Sequence, residues 1–480
     1  MTVPHTTDAP LRVAFVAVVR DAFKGDAERT SVRACEALER GGEALGYRVE
    51  RSPESVRDPA SATRVAAWVE AGDYDAVMVL HATFATADLL APVLRSHPAV
   101  GVWAVPEGEG LPLARSGERS GARPLPLNSL CGLNMTLSTL EHPRVAKREP
   151  VKWYWGAPGS ARFERRWAVT VRALHGQRAL RRARVLQIGG TAPAFYRLEE
   201  MPDALGAVVD RVPLATLYER MAACADEDVE TRAAAWRASE PPLDGSAEHV
   251  RVAARTELAL ASLARAGDYQ ALALRCWPEF ADACGGMACA AVGAMADRRV
   301  PTACEGDVMG ALSMLALQAV ADAPSALVDL SDLDEAGDRL LLWHCGNAPL
   351  AFAGDAGARL TTHFNRDGVG MVRDMHLRPG PATGFRLLDG GSASVIVTGD
   401  LTDPSEPDVD GVRAWWRALR WDGAPRSAFE VVSQLLDARL PHHLALAPGD
   451  VGEALAELSV RLGARVLSAA RTRDALVAYP

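Results

Sequence analysis

Arg12–Val19, RVAFVAVV, is an unbroken apolar run closed by Arg20-Asp21. A strand buried on both faces of a parallel sheet reads this way, without polar alternation. A helical pattern follows from Ala27 to Leu45 and stops at Gly46. Then come YRVERSP, a second helix over 61–72, DAVMVLHA (Asp75–Ala82) and AVGVWAVP (Ala99–Pro106). Strand alternating with helix predicts a Rossmann-like layer. No GxGxxG follows the first strand, where Gly25 stands alone, so a dinucleotide site is not expected. Residues 107–127, EGEGLPLARSGERSGARPLPL, read as a long loop.

A second alternating unit begins near residue 160. A helix from Ala161 to Leu180 leads into RVLQIGG (Arg184–Gly190), whose glycine pair marks a sharp turn or a close backbone approach. AVVDRVP, helical patterns over 214–225 and 228–266 (broken at Pro241-Pro242), the strand Tyr269–Trp277 and a helix Ala281–Met295 follow. The last third changes character. RLTTHF, VGMVRDMHL, TGFRLLD and SASVIVTG are short strands with turns at Asp367-Gly368, Pro379-Gly380 and Asp389-Gly390-Gly391. The expected class is α/β, with two Rossmann-like parallel-sheet domains over 1–160 and 161–325. A C-terminal antiparallel β-rich domain is expected over 326–480.

At 480 residues the chain exceeds what one core serves, which agrees with several domains. Its 49% hydrophobic and 24% charged residues are those of a globular protein. A net charge of -9 repels nucleic-acid phosphates and anionic lipid surfaces. The short basic run Arg178, Arg181, Arg182 and Arg184 reads as a solvated helix end. Nothing approaches the roughly 18 uninterrupted apolar residues of a membrane span, and the N-terminus lacks a basic segment before its apolar run. None of the eight cysteines forms a CxxC pair, so a zinc ribbon is not expected and the thiols suit a reducing compartment. Together these predict a cytoplasmic chain with neither a nucleic-acid nor a membrane partner.

The chemistry concentrates in Val300–Asp329, VPTACEGDVMGALSMLALQAVADAPSALVD. A helix from Asp307 to Ala323, apolar on nearly all sides, is buried and ends at Pro324. Glu305 and Asp307 stand at its start, and Asp329 ends the strand that follows. If that strand returns beside the one before the helix, Glu305 and Asp329 face each other at the carboxyl edge of one sheet. Carboxylates also cap helices and begin turns, so spacing alone leaves a shared cation site and plain capping both open. His344 in LLLWHCGNAPL ends an apolar run before a turn. His442 and His443 in PHHLALAPGD open one, and inside a strand they would face opposite sides. Two carboxylates with imidazoles suit Mn²⁺, with Mg²⁺ or Co²⁺ less specific. Cys304 and Cys345 lie nearby and read as small hydrophobes or as donors for a soft metal.

The block Cys276–Pro349, with CWPEF, PTACEGDVMGALSM, ALVDL and WHCGNAP, resembles the L-fucose isomerase family and the related L-arabinose isomerases. NSLCGLN (Asn128–Asn134) and KWYWG (Lys152–Gly156) are similar to segments of the family's N-terminal domain. The likeness runs in order along most of the chain and is weak over 190–265. It implies a metal-dependent aldose–ketose isomerase acting on an open-chain sugar, assembled as a trimer or hexamer. It also implies Glu305 and Asp329 as ligands and acid/base pair, a histidine of the pair His442-His443 as a further ligand, and His344 as the counterpart of an L-arabinose isomerase ligand. Glu279 and Asp307 are candidates to hold a ligand in place or to meet sugar hydroxyls. Trp277 either stacks on a sugar face or packs in the core. The chain is shorter than typical L-fucose isomerases, and the residues that grip sugar there have no clear match. A metal-dependent lyase or epimerase and a non-catalytic sugar-binding protein are the competing expectations.

Overall fold

A computed structural model describes residues 9–23, 25–107, 125–143, 145, 150–366, 368–402 and 409–467. Most of the loop expected over 107–127, together with Asp367, lies outside them. The chain divides into two compact units at Leu174–His175.

The first unit holds a five-stranded sheet of β1 (Leu11–Val18), β2 (Tyr47–Arg51), β3 (Ala76–His81), β4 (Val100–Ala104) and β5 (Val151–Trp155). Its order is β2-β1-β3-β4-β5, and every pairing is parallel. The unbroken apolar run of β1 now has its reason. Leu11, Val13, Phe15 and Ala17 pack into one core, and Ala14, Val16 and Val18 pack into another on the opposite face. With both faces covered from Val13 to Val18, that stretch is wholly apolar, and the one charge of the strand, Arg12 at its start, is paired with Glu50.

The second unit carries two sheets. Its parallel sheet runs β7-β6-β8-β9, from β6 (Arg184–Ile188), β7 (Val208–Val212), β8 (Ala271–Leu274) and β9 (Thr302–Ala303). The single helix expected over 281–295 is two, Phe280–Cys284 and Cys289–Asp297. Gly285 takes a left-handed φ of 68° and ends the first.

The third sheet consists of β10 (Ala326–Asp334), β11 (Arg339–His344), β12 (Arg359–Thr362), β13 (Gly370–His376), β14 (Gly380–Leu388), β15 (Ala393–Thr402), β16 (Val412–Trp421), β17 (Ala424–Pro425), β18 (His443–Pro448) and β19 (Arg465–Val466). Within it β16-β11-β10-β18-β14-β15 close into a ring through the β15–β16 pairing, a six-stranded antiparallel barrel. The expected class of two parallel sheets and a C-terminal antiparallel β region describes the molecule. The sequence reading did not include β16 or the helix Ala428–Asp437.

One expectation about the path is corrected. The strand after the buried helix does not return beside β9. It is β10, which pairs antiparallel with β11 and β18 in the barrel. The helix Val308–Ala321 therefore crosses between sheets, packing on β8 and β9 of the parallel sheet and on β14 and β18 of the barrel. This explains why all but two of its residues are buried, Ala319 and Ala321 excepted. A helix with a sheet on either side has no solvent face to keep polar.

Candidate metal centre

The site starts at the end of β9, where Cys304-Glu305-Gly306 form a single tight turn. Glu305 has φ 59° and Gly306 φ 74°, both left-handed. For Glu305 this conformation costs about 1 kcal/mol or more and persists only where the surroundings hold it. They do so through two bonds, one from the loop after β6 and one from β6 itself. Ala192 N donates to Glu305 O at 2.9 Å, and Gln187 Nε2 donates to Gly306 O at 2.9 Å. The glycine pair in RVLQIGG is a close approach: a Cβ on Gly306 would stand 2.0 Å from Gly190 O. The Glu305 side chain is thus presented from a rigid backbone.

Asp307 caps the crossing helix, its Oδ1 accepting from Gly310 N at 2.7 Å. The fully buried Arg386 of β14 grips the same carboxylate with two nitrogens, at 2.5 and 3.0 Å. Burial pushes the Asp307 pKa up, but the charge of Arg386 and the hydrogen bond from His443 outweigh it. The group lies well below the usual carboxylate range. An ionised Asp307 accepts from His443 Nδ1 at 3.0 Å, so the Nε2 lone pair of His443 is free to ligate. Nε2 is buried and makes no hydrogen bond. Glu305 Oε2 stands 3.6 Å from it.

Sheet register delivers the second carboxylate. Asp329 on β10 lies directly across from His443 on β18. Its Oδ1 is buried and also lacks a partner. Burial, only partly opposed by His443 and His442, pushes its pKa up to about 6. His344 ends β11, with Nδ1 accepting from Cys345 N at 2.8 Å and Nε2 3.6 Å from Cys304 Sγ. Burial, reinforced by the neighbouring histidines, holds it far below the ordinary imidazole range, hence neutral. Its ring stacks 5.5 Å from that of His443.

His442 precedes β18 instead of lying inside it, so the alternation of a strand does not separate the two histidines. Its ring is 4.1 Å from that of His443, and its Nε2 is 3.0 Å from Glu305 Oε2. Burial pulls its pKa down, yet the bond to Glu305 and the surrounding carboxylates reverse this and raise it. Two overlapping donor sets result, Glu305–His442–His443 and Asp329–His344–His443, each with ligand atoms within 4.8 Å of one another. His443 belongs to both.

The remaining candidates fall outside these sets. Asp307 is fully buried and occupied by Arg386, so the expectation that it meets sugar hydroxyls is corrected: it orients His443. Glu279 is exposed and paired with Arg275 at 3.1 Å. Trp277 is 40% exposed, which removes the core reading. It meets Phe195 edge-on at 6.1 Å, and Phe195 lies 5.3 Å from the His442 ring, forming an aromatic wall beside the exposed imidazole. Phe195 and Arg386 were not singled out from the sequence. For Arg386 the signal was a charge inside TGFRLLD, since a buried arginine demands an acidic partner.

Two carboxylates and three imidazoles converging from two sheets define a candidate centre for a divalent cation that favours oxygen and nitrogen ligands. The chain is similar to proteins named sulfoquinovose isomerase. It is 25% identical over 401 residues to that of Priestia megaterium, covering 81% of this chain and 84% of the relative. It is 27% identical over 398 residues to that of Alkalicoccus urumqiensis, covering 80% and 84%, and 28% identical over 355 residues to that of a Clostridium species, covering 71% and 77%. The likeness is to sugar isomerases, and it does not single out the L-fucose isomerase group. No protein-family profile matches the chain. A solved solute-binding protein of Agrobacterium vitis covers 57% of this chain and 79% of its own at 14% identity with a TM-score of 0.17, too low to carry an argument. Among the described residues no helix is long and apolar enough to cross a membrane.

Proposed function

We propose that this protein is an aldose–ketose isomerase acting on an open-chain sugar, with a divalent cation, Mn²⁺ foremost and Mg²⁺ or Co²⁺ as alternatives, held by Glu305, Asp329 and His443. His344 joins them in the tautomer that carries its proton on Nδ1, which gives up the bond from Cys345 N. The observation that carries the reading is His443 Nε2, buried, without a hydrogen bond, and shared by both donor sets. Asp329 Oδ1, across the β10–β18 pairing, is orphaned in the same place. A buried unsatisfied polar atom costs about 1–3 kcal/mol, and one cation would satisfy both. Burial, the shared position and the register opposite Asp329 favour His443 over His442 as the ligand.

When bound, the cation supplies a Lewis acid to the carbonyl and the neighbouring hydroxyl oxygen of the sugar. The residues of the chain supply the proton transfers. Glu305 and Asp329 serve as the acid/base pair: one carboxylate removes the proton from the carbon beside the carbonyl, and a conjugate acid returns one to the adjacent carbon of the enediol. His442, raised in pKa and 40% exposed, offers a donor to a sugar hydroxyl. The edge of Trp277 and Phe195 beside His442 suits the apolar face of a sugar.

The relatives' name makes sulfoquinovose the first substrate to assay. Purified protein loaded with Mn²⁺ is expected to form the corresponding ketose and to stop on chelation. Glu305→Gln is expected to lose turnover with its circular dichroism unchanged. Turnover that survives chelation, near-normal activity of Glu305→Gln, or no carbonyl migration across a sugar panel would each overturn the reading. Release of a sugar fragment in place of a ketose would mark a lyase.

A further inference from the structure

A second donor set lies beside the first and uses different residues. Cys289 begins the helix Cys289–Asp297, Cys345 follows β11, and His363 follows β12. Their ligand atoms all lie within 4.8 Å of one another. The Sγ atoms of Cys289 and Cys345 are 3.5 Å apart. Two thiolates on a tetrahedral Zn²⁺, with Zn–S of about 2.3 Å, stand about 3.8 Å apart, so the pair needs to open by only about 0.3 Å. Burial lowers the His363 pKa, which keeps the imidazole neutral as a ligand must be. Cys289 packs in an apolar cluster with Ala281, Met287 and Val372, and Cys345 packs against it. No carboxylate belongs to the set, so it does not suit Mn²⁺ or Mg²⁺.

We propose that Cys289, Cys345 and His363 form a site for a thiophilic cation of the Zn²⁺ class, separate from the carboxylate–imidazole centre and coupled to it through His344. On binding, the two sulfurs form bonds to the ion and the two thiol protons pass to solvent, with no change of oxidation state. The coupling runs through Cys345. Its N–H donates to His344 Nδ1 at 2.8 Å, and its Sγ lies 3.2 Å from the same nitrogen. Drawing Cys345 Sγ onto an ion moves the group that fixes the His344 ring. Occupancy of one site then changes affinity at the other, and the effect is reciprocal.

The test uses the full chain, reduced and loaded with Mn²⁺, and Cd²⁺ alone as the probe. A thiolate-to-cadmium absorption band in the ultraviolet should saturate at about one equivalent, with release of two protons. Cys289→Ser should abolish the band and Cys276→Ser should leave it. His363→Ala should keep the band and weaken Cd²⁺ binding tenfold or more. Mn²⁺ affinity, read by electron paramagnetic resonance, should shift with Cd²⁺ in the native chain and not in His363→Ala at matched Cd²⁺. If Cys289→Ser does not fold, the anomalous signal of Cd²⁺ in crystals of the native chain decides, and density away from Cys345 overturns the site. A band lost in Cys276→Ser but kept in Cys289→Ser, no band in fully reduced protein, or a Cys289–Cys345 disulfide in the native chain would each overturn it as well. These readouts do not depend on turnover. A cadmium band without isomerase activity sinks the isomerase reading alone, and activity without a band sinks this one alone.

Discussion

Asp307 shows how one side chain performs three tasks. It caps a helix, neutralises Arg386 and turns His443 toward Glu305 and Asp329. Removing its charge strands a fully buried guanidinium, so Asp307→Asn is expected to cost about 3–5 kcal/mol of stability by denaturant melts. Where the protein stays folded, Mn²⁺ affinity should fall about 10–100-fold by titration calorimetry. The pKa of Asp307 is depressed, so its stabilisation is present above the ordinary carboxylate range and is lost as pH falls below it. Asp329 runs the other way. Its folded pKa of about 6 lies above the ordinary value of about 3.9, so the metal-free fold keeps a proton that the unfolded chain releases. Its contribution therefore declines as pH rises from about 4 to about 6 and is level above that. Melting curves of metal-free protein should show this decline against the opposing rise from Asp307-type groups, and Asp329→Asn should remove it. Added Mn²⁺ should raise Tm most above pH 6, where no proton competes for the carboxylate. Glu305 and Asp329 stood out in the sequence as acids on either side of a buried helix and its following strand. By spacing that pattern fits capping as well as a cation site, and only the family resemblance turned it toward a cation. Arg386 did not stand out, because nothing near TGFRLLD says which of many acids it will meet.

The crossing helix Val308–Ala321 is the element on which the site depends. Its all-round apolar sequence announced burial, and its length was readable to within a residue or two at each end. Its neighbours were not readable, since an apolar surface does not specify whether helices or sheets will cover it. Leu312, fully buried at its centre, is expected to cost about 2–5 kcal/mol on replacement by Ala, measured by chemical denaturation. The turn before the helix makes a sharper test. Gly306→Ala forces a Cβ against Gly190 O at a left-handed φ. Backbone on both sides has to give way, and the Glu305 carboxylate moves with it. The expected outcome is loss of Mn²⁺ binding by calorimetry beyond what the drop in Tm explains. A Gly306→Ala protein with unchanged Mn²⁺ affinity would show that the turn does not position Glu305.

At the scale of the whole molecule, the proposed reading carries a homo-oligomer, a trimer or hexamer, acting in the cytoplasm. Analytical ultracentrifugation of the purified chain checks the assembly, and a monomer would remove that part of the reading. By itself the sequence determined the layered order of strands and helices, the buried helix and the acids at its ends. These are local matters: an apolar run long enough to be a strand covered on both faces, or a helix with no polar stripe, is legible wherever its covering comes from. Tertiary structure alone decided that β10 joins the barrel and not the sheet that holds β9, because that choice rests on the pairings with β11 and β18. The last of these lies more than a hundred residues downstream. The same long-range register set Asp329 opposite His443 and drew Arg386 onto Asp307. No local pattern contains such information, because hydrogen-bonded register and buried charge pairing are properties of residues that become neighbours only when the chain folds.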